Sequence, residues 1–103
     1  MFNVKRNGAS VEITDIPQSI PFSVFKDIAD KTGATETLVA YVKDKNSYEV
    51  VIRHDSVNMA AAAAWLALEG KENLKKRDSL RLDAGMMNMA EYISRHGEDL
   101  PVN

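Results

Sequence analysis

The chain has 103 residues, 45% of them hydrophobic and 27% charged, which suits one globular domain with its own core and leaves too little chain for two ordinary domains. Thirteen basic residues against fifteen acidic ones give a net charge of -2, so no overall field favours nucleic acid or an anionic membrane. The lack of cysteine excludes disulfides, thiolate catalysis and cysteine-ligated zinc or iron–sulfur centres.

The opening stretch, MFNVKRNGAS, carries Lys5 and Arg6 with no apolar run behind them, which is neither a leader nor a membrane anchor. Residues 59–68 form the longest apolar stretch, about half of what a bilayer span requires. A cytoplasmic protein is the expectation. FNVKRNGASVEI alternates apolar and polar residues on both sides of Asn7 and Gly8, a dipeptide suited to a type I′ turn. That turn predicts a hairpin with Arg6 opposite Ala9, Val4 opposite Val11 and Phe2 opposite Ile13. Its other face carries Asn3, Lys5, Ser10 and Glu12.

Two prolines, Pro17 and Pro21, end the second strand. Phe22, Phe25, Ile28 and Ala29 then recur at helical spacing, and Gly33 is placed to stop that helix. TLVAYVKDKNSYEVVIRH predicts a second hairpin, with strands over residues 38–43 and 48–54 joined through Asp44, Lys45 and Asn46. Leu38, Ala40 and Val42 fall on one face of its first strand and Val39 and Tyr41 on the other. Apolar residues on both faces imply a hairpin central in a sheet or covered on both sides.

Asp55 or Ser56 caps a helix expected over residues 57–69 with Gly70 as its stop. This helix holds five consecutive alanines, Ala60, Ala61, Ala62, Ala63 and Ala64, followed by the only tryptophan, Trp65, and no charge interrupts it before Glu69. A helix apolar nearly all round needs cover on more than one side, and a small sheet supplies one. Either a C-terminal helix packs over the second side, or a subunit or partner does, with Met59, Trp65 and Leu66 as anchors and Ala62 and Ala63 as a flat floor. In the second case, a glutamate at Ala62 or Ala63 separates subunits without unfolding them. Beyond it, KENLKKRD reads as a polar helical turn or loop, Leu80 and Leu82 alternate in a short strand or extended connector, and Met86, Met89, Ala90 and Ile93 mark a last helix ending at Gly97. The domain is expected over residues 1–97, with a flexible tail over 98–103.

The expected fold is α+β: an antiparallel sheet of about four strands from two β-hairpins, with two to three helices on one face. VKRNGASVEI and VKDKNSYEVVI share a Val-Lys start, a polar turn and a β-branched finish, each followed by a helix. The halves read either as a ββα-ββα pseudo-repeat or as two ordinary hairpins that converge on the same residue types.

Candidate chemistry is sparse. His54 with Asp55, and His96 with Glu98 and Asp99, lack ligand spacing and read more simply as a capping aspartate and a histidine at a helix C-terminus. No phosphate-cradling glycine loop, nucleophile elbow or paired-carboxylate motif occurs, so no catalytic residue, metal or cofactor is assigned and an enzyme is not expected. The expected function is a small non-enzymatic protein–protein interaction module, a homodimer that regulates or inhibits a larger protein partner through Met59, Ala62, Ala63, Trp65 and Leu66. The alternative is a nucleic-acid-binding regulator that uses Lys71, Lys75, Lys76, Arg77 and Arg81, a basic cluster diluted by Glu72, Asp78 and Asp83.

Overall fold

The computed structural model describes residues 2–77, with side chains through Gly70. The elements run β1 (Asn3–Asn7), β2 (Ser10–Pro17), α1 (Phe22–Lys31), β3 (Glu36–Val42), β4 (Ser47–Arg53) and α2 (Val57–Arg77), with a short 3-10 turn at Lys43–Lys45. Both hairpins expected from the alternation are present. They join through β2 and β4 into one antiparallel sheet of order β1-β2-β4-β3. The α+β class and the four-stranded sheet are as read from the sequence. The expected last helix from Met86, the extended segment at Leu80 and Leu82, His96 and the tail over 98–103 lie outside the described residues.

The first hairpin turns one residue later than expected. Asn7 pairs with Ser10 and Val4 with Ile13, so the two loop residues are Gly8 and Ala9. Gly8 has φ +62° while Ala9 is not among the residues with positive φ, the pattern of a type II′ turn rather than I′. The pairing therefore moves by two residues and not by one, and side-chain faces survive an even shift. Phe2, Val4, Val11 and Ile13 accordingly all point into the core. Near the end of β2 a bulge between Ile13 and Ile16 is accommodated by Asp15, at φ +57°, a backbone state that aspartate tolerates better than most residues.

Helix α1 buries Phe25, Ile28 and Ala29, the stripe its spacing announced. It closes at Gly33, φ +67°, with Gly33 N–H donating to the Asp30 carbonyl and Ala34 N–H to the Ala29 carbonyl at 2.9 Å, a Schellman end. Helix α2 begins at Val57, where Met59 N–H donates to Ser56 Oγ at 3.1 Å; Ser56 is thus the cap. Gly70 does not stop it. A glycine terminates a helix by taking the left-handed conformation, and here it is buried within a helix that runs on to Arg77. The residues that follow are mostly strong helix formers and carry the helix past a glycine cost of about 1 kcal/mol.

The core lies between the sheet and the helices. Phe2, Phe25 and Tyr48 stack edge to face at centroid distances of 5.6 and 6.3 Å, with Ile13, Ile16, Val50 and Ile52 around them. Helix α2 packs on β1, β2 and β4 and against α1. All five alanines at 60–64 belong to this core, where their small side chains allow close approach of the helix backbone to its neighbours. No described helix is long and apolar enough to cross a membrane.

Candidate functional site: the uncovered β3 edge

The strand order makes β4 an inner strand and β3 an edge, with no described strand on its free side. The sequence expectation of a hairpin central or covered on both sides holds for β4 and fails for β3. Val39 pairs with Val50 and Tyr41 with Tyr48, and opposed residues of an antiparallel pair share a face, so Val39 and Tyr41 point to the helix side of the sheet. Val50 and Tyr48 are 0% and 7% exposed, whereas Val39 and Tyr41 are 51% and 62% exposed. Among the described residues, the helix layer therefore ends between β4 and β3. On the opposite face Leu38, paired with Val51, is 42% exposed. A seven-residue edge strand thus offers apolar side chains on both faces together with backbone groups that have no described partner.

Tyr41 is held in place. Gln18, in the connection from β2 to α1, donates through Nε2 to Tyr41 Oη and lies 2.6 Å from Asn46 Oδ1. Asn46 takes φ +53° to close the second hairpin. A tyrosine oriented this way loses little freedom on contact with a partner, one reason such residues dominate interfaces. Charges stand at both ends of the strand: Glu36, 3.2 Å from Arg53 Nη1, at its start, and Lys43 and Lys45 in the turn after it.

The sheet's other edge differs. β1 exposes Asn3, Lys5 and Asn7 and carries Arg6, and charge on an edge strand discourages pairing with another chain. One edge is guarded and the other is not.

The contact residues expected on α2 are placed as follows. Ala62, Ala63 and Leu66 are core residues, while Met59 and Trp65 are half-buried. Of the basic residues, Lys71, Lys75, Lys76 and Arg77 lie on the last turns of α2, and Arg81 lies outside the described residues. His54 is buried at the end of β4. The Thr32 hydroxyl donates to the Ile28 carbonyl at 2.8 Å, which leaves its oxygen to accept from His54 Nε2–H at 2.8 Å. That assigns the neutral tautomer with Nδ1 unprotonated, buried and without a partner. Burial pushes the imidazole below its ordinary value, offset in part by the Ala9 carbonyl. Among the described residues no group of three or more histidine, aspartate and glutamate side chains converges on a point that could hold a metal.

The β3 edge escaped the sequence reading because an apolar strand waiting for a partner and an apolar strand buried in a sheet have the same residue pattern. The one signal available was Tyr41 amid aliphatic neighbours next to a charged turn. No protein-family model matches the chain, and no curated protein or solved structure is significantly similar to it.

Proposed function

We propose that this protein is a small non-enzymatic interaction module, a homodimer that modulates or inhibits a larger protein partner, with the β3 edge as a surface that pairs with another chain and on which retention of the partner depends. One observation carries this reading: Val39, Tyr41 and Leu38 remain exposed on a strand whose free side has no described partner, while the polar edge at β1 is protected by charge. Strand addition suits such an edge, with main-chain hydrogen bonds supplying affinity and alternate side chains supplying selectivity. Met59 and Trp65 on α2 are subsidiary contacts. The element order and the antiparallel β2–β4 pairing at the sheet's centre also support reading the chain as two ββα units.

The test is capture of protein partners on immobilised wild-type protein and on the Val39→Lys/Tyr41→Lys variant. The expected outcome is a defined partner retained by wild type and lost by the variant. Equal retention by both, or none by either, overturns the proposal. A second reading, a nucleic-acid-binding regulator, draws on the continuation of α2 to Arg77, which puts Lys71, Lys75, Lys76 and Arg77 on one helix.

A further inference from the structure

We propose that the free side of β3 is completed by β3 of a second copy, antiparallel about a two-fold axis at Val39, so that two four-stranded sheets become one sheet of order β1-β2-β4-β3-β3-β4-β2-β1. The proposal rests on the reading of β3 as a contact surface and adds the occupant and its register.

The strand is complementary to its own reverse. Glu36 stands at its start and Lys43, Asp44 and Lys45, with one net positive charge, follow its end, so antiparallel apposition of two copies sets the acidic end of each against the net basic end of the other. A parallel arrangement sets like against like.

Symmetry and length then fix the register. A two-fold perpendicular to a sheet keeps each side chain on its own face only if the axis passes through a residue pair, so the candidates are centred on single residues. Val39 is the midpoint of Glu36–Val42, and only an axis there pairs every residue of one strand with a strand residue of the other. It puts Val39 opposite Val39, Leu38 opposite Ala40, Thr37 opposite Tyr41 and Glu36 opposite Val42. An axis at Ala40 instead brings Glu36 opposite Asp44, and like charges directly opposed are destabilising. At the other edge, a pairing centred on Lys5 opposes two lysines.

Because the axis preserves faces, both helix layers lie on one side of the joined sheet. Val39 and Tyr41, exposed in one chain beyond the limit of its helices, meet Val39 and Thr37 of the second copy between the two layers. The same apposition covers Leu38 on the outer face.

The test combines mass with cross-linking, which the absence of native cysteine makes clean. Light scattering on wild type is expected to give about twice the 11.4 kDa of one chain. Val39→Lys opposes two like charges at the axis and is expected to weaken the dimer roughly tenfold or more, with an unchanged circular dichroism spectrum since Val39 is exposed in the single chain. Val39→Cys is expected to form an intermolecular disulfide under mild oxidation. Leu38→Cys, set diagonally from its own copy, and Lys5→Cys, on the far edge, are expected not to. A dimer cross-linked through Lys5→Cys, or one whose mass Val39→Lys leaves unchanged, overturns the inference. A monomer that still captures a partner through Val39 and Tyr41 overturns it and the homodimer, while the partner-interaction reading stands; a monomer that captures nothing ends both.

Discussion

His54 Nε2–H donates to Thr32 Oγ1 at 2.8 Å inside the domain, which ties the end of β4 to the C-terminus of α1 next to the Schellman turn. The histidine's other nitrogen makes no hydrogen bond, so a second proton there would place a charge in a buried site where the Ala9 carbonyl offsets burial only in part. In the folded state the imidazole titrates below its ordinary 6.5. The unfolded chain binds the proton first as pH falls, so stability is complete above about 6.5 and declines below it, by at most about 1.4 kcal/mol per pH unit. Thermal melts from about pH 7.5 to about pH 5.5 should show a falling midpoint, and His54→Gln should remove that part of the slope. A slope that the variant leaves unchanged would place the buried proton site elsewhere.

Tyr48 supplies the opposite pH limb. Its hydroxyl donates to the Ile20 carbonyl and its ring packs against Phe25, and burial raises its titration from 10.0 to about 12. The folded state holds this proton more tightly than the unfolded one, so stability is full below about 10 and is lost as pH rises towards about 12. Tyr48→Phe should cost about 1–2 kcal/mol at neutral pH, because the Ile20 carbonyl loses its donor, and should flatten the alkaline loss. Urea titrations at neutral and alkaline pH check both; a variant as stable as wild type at neutral pH would mean that this bond contributes nothing.

The alanine run makes a sharp prediction from burial. Ala63 is fully enclosed, so Ala63→Glu forces a charge into the core or expels α2, at a cost of several kcal/mol that a domain of this size cannot absorb. Circular dichroism should show lost helicity and no cooperative melt. A folded variant of wild-type helicity would mean that the alanines face solvent or a detachable partner, the arrangement in which such a charge separates subunits instead.

Gly8 is a backbone test. It has φ +62°, and a Cβ built there meets nothing within 4 Å, so the cost of a side chain is conformational and not steric crowding by neighbours. Gly8→Val should destabilise by about 1 kcal/mol or more. An unchanged midpoint in thermal unfolding would rule out the strained turn.

Local chemistry made much of this fold legible. Period-two alternation marked both hairpins, the spacing from Phe22 to Ala29 marked α1, and Gly33 and Ser56 were readable as a stop and a cap because each satisfies backbone groups that every helix end leaves over. Three features were not legible. Asn7-Gly8 and Gly8-Ala9 both place glycine where a hairpin turn wants positive φ, so composition alone did not choose between them. Gly70 resembles a helix stop until the propensity of the residues after it is weighed. The order β1-β2-β4-β3 depends on which strands of the two hairpins meet, a long-range choice with no local signature, and it alone decides that β3 and not β4 faces outward. The candidate surface was therefore hidden in residues that had been read correctly as strand.

Hydrogen exchange at the two sheet edges tests the role of β3 most directly. Amides of β3 and of β1 that point away from the sheet have no described partner, so in an isolated chain both sets should exchange readily. If β3 pairs with another copy, its outward amides between Glu36 and Val42 gain protection as protein concentration rises, while those of Asn3–Asn7 stay fast. Val39→Lys should abolish the gain. Equal, concentration-independent exchange at both edges would contradict the assignment of β3 as the contact surface of a homodimer.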